Sequence, residues 1–128
     1  MIKAYLAWIS TGFEGEDFEI RYRIFKDEEL IEKQSLTIGY RKPAILGQFS
    51  IMTILRRLEM YKDEEITIVI NDGFLRDSLK GRSGTKTQEV KEMAKENRNT
   101  MKEFINLTVH DVSGNHLEIK EWDEILKT

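Results

Sequence analysis

Asp72 has the clearest place for chemistry in this chain. It follows Ile66-Thr-Ile-Val-Ile70, a nearly unbroken apolar run, and is followed at once by Gly73 and a short helical pattern, Phe74 to Leu79. Open α/β sheets collect their ligands beyond the carboxyl ends of their strands, so an acid in this position is the first candidate for a functional group. The same Asp-Gly pair also suits a turn whose carboxylate caps the next helix, and both readings stand at this point. The second candidate is cationic. Lys80, Arg82 and Lys86 share a loop with Gly81 and Gly84, and contact with a phosphate backbone needs charge and reach rather than catalytic geometry.

The charge layout sharpens the second candidate. From Arg76 to Lys102 the chain carries eight basic and four acidic residues, +4 within a protein of net charge −3, which leaves −7 for the rest. A positive segment on an acidic body is a footprint for phosphates. Past Lys86, however, Glu89, Lys91, Glu92, Lys95 and Glu96 interleave in the way of a solvated helix face with pairs four apart. Other chemistries are absent. The chain has no cysteine, which removes disulfides and thiolate metal sites, and Gly81-Arg-Ser-Gly84 lacks the spacing and lysine of a phosphate loop. There is no nucleophile elbow, zinc-ligand spacing or calcium loop. His110 at a strand end reads as a partly buried polar residue, and Trp8 and Trp122 read as core. No run approaches the roughly 20 apolar residues of a membrane span, and the expectation is a soluble, cytoplasmic protein.

These groups need elements to hold them. At 128 residues the chain fits one domain with one core. Ile2 to Ile9 predicts a strand apolar on both faces, and Ser10 to Asp17 a polar turn. Phe18 to Phe25 alternates apolar and charged residues as a half-exposed strand does. Lys26 to Glu29 connects it to a third strand, Leu30 to Ile38, anchored by Leu30, Leu36 and Ile38. After Pro43 the period changes to about 3.6, and Ile45, Phe49, Met52, Leu55 and Leu58 or Glu59 mark the core stripe of a helix through Tyr61. Ile66 to Ile70 then predicts a strand covered on both faces and parallel to an earlier one. Next come the short helix 74–79 and the basic loop. A helix from Thr87 to Phe104, capped by Thr85 or Thr87, follows with Val90, Met93, Ala94, Met101 and Phe104 facing inward. A strand from Ile105 to Val109 and a last helix from Leu117 to Leu126 complete the order.

Three antiparallel strands followed by alternating helices and strands, with two local passages, resemble the ribonuclease H-like fold. The passages are Tyr22-Arg-Ile-Phe-Lys-Asp-Glu-Glu-Leu-Ile-Glu-Lys33, similar to the hairpin between the second and third strands of ribonuclease HI, and Ile66 to Leu79, similar to the strand ending in Thr-Asp-Ser and its short helix. Val112-Ser113-Gly114-Asn115 resembles the His-Ser-Gly-Asn loop before the last helix. The resemblance implies an α/β domain over residues 1–128, with a five-stranded mixed sheet flanked by helices.

It also implies a site. The family's activity depends on four acidic residues holding two Mg²⁺ ions about 4 Å apart. Asp72 falls on the third of those positions, and Asp123 falls near the fourth with one residue too many after Ser113-Gly114. The first strand offers Ala4 to Ser10 and no acid, and the core helix offers Gly47 or Gln48 where a glutamate belongs. Val112 stands in place of the loop histidine, with His110 and His116 off register. The expectation is therefore a catalytically degenerate domain that binds nucleic acid through Lys80, Arg82 and Lys86, or binds a protein partner, without a cofactor. The alternative is an active Mg²⁺-dependent nuclease rebuilt from Asp72, Asp123 and either Asp111 or Glu14.

Overall fold

A computed structural model describes residues 1–10, 15–82 and 87–127, with the Ser10 side chain left out. Glu14, Thr85 and Lys86 from the expectations above lie outside the described residues. The described elements run β1 (Ile2–Ser10), β2 (Phe18–Lys26), β3 (Glu29–Ile38), α1 (Pro43–Leu58) with a 3₁₀ turn at Glu59–Tyr61, β4 (Glu65–Ile70), α2 (Gly73–Leu79), α3 (Gln88–Met101), β5 (Asn106–Asp111) and α4 (His116–Leu126). This is the expected order.

The strands form one five-stranded sheet in the order β3-β2-β1-β4-β5. β1 pairs antiparallel with β2, and β2 with β3, whereas β4 runs parallel to both β1 and β5. The parallel pairing follows from the chain path, since α1 carries the chain back across the sheet before β4 starts. β1 is thus the middle strand, with β4 beside it.

Alternation along the strands makes two cores. On one face Ile2, Ala4 and Leu6 of β1, with Ile20 and Ile24 of β2, are fully buried against Leu46, Ile51, Ile54 and Leu58 of α1. On the other face a smaller cluster of Tyr5, Ala7, Val69, Val112 and Leu126 lies against α4. β4 contributes to both: Ile66, Ile68 and Ile70 to the first and Val69 to the second. That two-sided burial explains its unbroken apolar run.

Four expectations need correction. The stripe of α1 holds at its end and shifts at its start: Leu55 and Leu58 are buried as expected, whereas Ile45, Phe49 and Met52 are half-buried and Leu46, Ile51 and Ile54 also face the core. β3 is an edge strand with solvent on much of both faces, so Leu30 and Leu36 are 46% and 37% exposed and anchor nothing. α3 ends at Met101, leaving Phe104 buried in the turn that follows, and its inward stripe includes the polar Asn97. β5 runs two residues further than alternation suggested, through His110 to Asp111. Trp122 does anchor α4, its indole N–H donating to the Leu6 carbonyl at 3.0 Å. No helix among the described residues is long and apolar enough to cross a membrane.

Candidate functional site at the carboxyl ends of the parallel strands

β4 pairs with β1 through Tyr5 opposite Val69. Continuing that register sets Ala7 beside Asn71 and Trp8 beside Asp72. Asp72 is the N-cap of α2: its backbone is extended, at φ −162°, and Oδ1 accepts the Leu75 N–H at 2.9 Å. The turn reading of this residue therefore describes its geometry. Its own N–H donates to Asp111 Oδ1 at 3.0 Å, which ties the ends of β4 and β5 together.

Asp111 is the more deeply engaged acid. Its side chain is 1% exposed, and Oδ1 also accepts the Ser113 N–H at 3.0 Å. Oδ2 accepts the Ser113 hydroxyl at 2.6 Å and the Arg76 guanidinium at 2.9 Å. Burial by itself would raise the pKa of this carboxyl. The Ser113 hydroxyl and N–H, the Asp72 N–H and the charge of Arg76 outweigh it and hold the group below the usual carboxylate range. Arg76 meanwhile donates its Nε–H to Asp77 at 3.0 Å. Its pKa is raised, first by the hydrogen bond to Asp77 and then by the two neighbouring negative charges.

The positions expected to supply further acids are differently occupied. A side chain added at Gly47 would begin 3.5 Å from Trp8 Cζ2 and 3.7 to 3.8 Å from the Leu75 methyl groups. The space in front of α1 here is filled by an indole and a leucine. Gln48 does not face this place at all. It is 1% exposed, donates to Ser78 Oγ at 2.6 Å, and accepts from Asn97 Nδ2 at both its side-chain oxygen, 2.9 Å, and its backbone oxygen, 3.0 Å. Ser78 completes the arrangement by donating to the Leu75 carbonyl. Asp123 is exposed on α4, Val112 is buried, and His116 is the exposed first residue of α4. His110 faces Glu118, Nε2 to Oε2 at 3.0 Å. The described residues contain no group of three or more His, Asp or Glu side chains that could hold a metal ion.

The basic residues stand beyond α2. Lys80 ends that helix, its N–H donating back to Arg76 and Asp77; Gly81 has φ +75°, and the Arg82 N–H donates to the Asp77 carbonyl at 2.8 Å. Both cationic side chains are exposed. Arg98 of α3 donates to the Ser78 carbonyl at 2.8 Å, which fixes the segment's origin against α3. Sequence reasoning counted Arg76 only as a charge and offered Asp111 only as one possible ligand of the rebuilt nuclease site. The signal available was Asp111-Val-Ser113, an acid two residues before a serine, which is the pattern of a carboxylate bonding its own backbone two residues on.

Solved structures of the same shape are found across the whole chain. An RNase H1 from Halobacterium salinarum superposes with a TM-score of 0.79 over 98% of this chain and 92% of its own, at 14% identity. LC11-RNase H1 in complex with an RNA/DNA hybrid gives 0.78 over 99% and 94%, at 17% identity. The chain has the ribonuclease H-like fold. The N-terminal RNase H domain of a Mycobacterium tuberculosis protein is also similar, at a TM-score of 0.73 and 10% identity over 87% and 86% of the two chains. No family model and no curated protein matches the sequence. With identities this low, the ribonuclease H-like architecture is what the likeness establishes.

Proposed function

We propose that this ribonuclease H-like domain acts by binding rather than by hydrolysis, with nucleic acid as the partner engaged through the basic segment around Lys80, Arg82 and Lys86. The observation that supports a binding role is the position of Trp8, whose Cζ2 lies 3.5 Å from where a Cβ on Gly47 would stand. Magnesium chemistry on this fold needs several hard oxygen ligands on one side of the strand ends. Here β1 brings an indole, α1 brings a glycine, Asp72 is engaged as a helix cap, and Asp111 is neutralised by Arg76. The described residues do not offer the oxygen ligands of a two-metal centre.

Nucleic acid is supported by the exposed Lys80 and Arg82, by the +4 charge of the segment they belong to, and by the hybrid bound to LC11-RNase H1, a protein of the same fold. One observation favours the opposite reading, an active nuclease: Asp72 and Asp111 lie side by side, with Asp123 on the helix that follows. A cleavage assay on RNA/DNA hybrid and on structured RNA, with Mg²⁺ and with Mn²⁺, separates the two. Cleavage that disappears in Asp72→Asn overturns the binding reading. Without cleavage, hybrid affinity is titrated against salt. Phosphate contacts predict a steep logarithmic fall, and Lys80→Ala with Arg82→Ala should reduce the slope by about two. Affinity indifferent to salt, or no binding, assigns the domain to a protein partner instead.

A further inference from the structure

We infer that the slot between the carboxyl ends of β1 and β4 takes the edge of one unpaired nucleobase. The slot is lined by Ala7, Trp8, Asn71 and Trp122 and holds about 60 Å³. That is room for about four water-sized spheres, enough for the rim of a flat ring while the rest of the ring stays at the mouth.

Each lining residue has a distinct part. Ala7 is buried and brings only a methyl group, so the floor stays open. Trp122 is fixed before any ligand arrives, because its N–H is already bonded to the Leu6 carbonyl. The Trp8 ring turns toward Gly47 on the opposite face, which leaves Trp8 as the rim and Trp122 as the wall. Asn71 is half-buried, and no hydrogen bond from any described residue engages its amide. A carboxamide has two donor hydrogens beside an acceptor oxygen, the complement of a base edge that pairs an acceptor with a donor. An indole surface joined to such an amide is the chemistry by which unpaired bases are held. The position agrees, since the neighbours of β1 diverge here, β2 to one side and β4 to the other, and sheets of this class bind ligands at such a divergence.

The inference rests on the nucleic-acid reading but uses none of its basic residues, so the two can fail separately. Trp8→Phe keeps an aromatic ring at the rim and leaves Trp122 as the chain's single tryptophan, whose emission reports on the slot, provided that the variant's affinity for a labelled single strand equals the wild type's. That variant is titrated with a single-stranded oligothymidylate, with a hybrid duplex of equal length, and with uridine monophosphate. Binding of the single strand should quench Trp122, and Asn71→Leu should weaken that binding about tenfold. Asn71→Ser provides the same test with a smaller side chain should leucine disturb the strand end. Quenching by the mononucleotide as well identifies a free nucleotide as a sufficient ligand; quenching by the oligonucleotide alone identifies a strand. Single-strand binding with unchanged Trp122 emission, or with affinity unaffected by both Asn71 variants, overturns the slot and leaves the nucleic-acid reading intact. If no form of nucleic acid binds and the mononucleotide leaves emission unchanged, both fall.

Discussion

Two polar groupings interleave between residues 48 and 113, and they solve the problem of burial differently. Between α1, α2 and α3, Gln48, Ser78 and Asn97 form a neutral relay in which each side chain is almost fully buried and bonded to another or to a backbone carbonyl. At the ends of β4 and β5, Asp111 is equally hidden but ionised, held by the Asp72 and Ser113 N–H groups, the Ser113 hydroxyl and one half-exposed arginine. The neutral grouping holds helices together and responds to neither pH nor salt. The charged one sits where the sheet gathers ligands, and its stability depends on both. The core of this fold is insulated from solution conditions while the candidate site is exposed to them.

The largest test of that contrast is Asp111→Ala. It leaves the Asp72 N–H, the Ser113 N–H and the Ser113 hydroxyl without their acceptor and strands Arg76 beside Asp77. The expected loss is about 3 kcal/mol in denaturant unfolding, reduced from the fully buried case because Arg76 keeps contact with water. The pH profile sharpens the result. The folded pKa of Asp111 lies below its unfolded value, so the stability it contributes is present above the unfolded carboxylate range near about 4 and is lost as pH falls through the folded pKa. The wild type should therefore lose stability on acidification by more than Asp111→Asn, whose side chain does not titrate. Equal slopes for the two proteins would remove Asp111 from the account.

Asn97→Ala is the matching cut in the neutral relay. It orphans the Gln48 carboxamide oxygen and takes one bond from the Gln48 backbone oxygen, with an expected loss of about 2 kcal/mol and no change in the pH profile. Combined with Asp111→Ala, the two losses should add, because the groupings share no hydrogen bond. Coupling between them would mean that α2, which carries Asp72 at one end and Ser78 near the other, transmits strain along its length.

The sequence exposes the charged grouping and hides the neutral one for the same physical reason. Strand and helix order followed from period, because β1, β2 and β4 alternate or saturate with apolar residues as their neighbours in the sheet require. Gln48 stands out only as the occupant of a glutamate's place and Asn97 is not singled out, since a single buried amide in a helix has no periodic signature and its partners are 30 to 49 positions away. The stripe of α1 was right at Leu55 and Leu58 and off at its start, because Ile45, Phe49 and Met52 have the right spacing but lie on the stripe's flank, and only contact with β1 selects among the neighbouring rows. β3 is legible in part: Ile38 packs against the core, but Leu30 and Leu36, though paired with Phe25 and Ile20 of β2, stay exposed because edge position is a property of the sheet. At the site, Asp72 was legible from its strand end, whereas its engagement by Leu75 and the bracing of Asp111 by Arg76 depend on how three segments meet.

The smallest test works on the packing of Trp8 against α1 at the carboxyl end of the sheet. Gly47 lies inside α1, where glycine is less favourable than alanine by up to about 1 kcal/mol. A Cβ at this position would stand 3.5 Å from Trp8 and 3.7 to 3.8 Å from Leu75, ordinary van der Waals contact for a single methyl group. Gly47→Ala should therefore be neutral or raise stability by up to about 1 kcal/mol, read as a rise in the midpoint of thermal unfolding. Gly47→Glu extends past that contact and must displace the Trp8 ring, so it should destabilise and also shift Trp8 emission as the ring moves into water. If both variants are equally stable with unchanged emission, Trp8 does not fill the space in front of α1. Such an outcome would remove the packing that supports the proposed binding role.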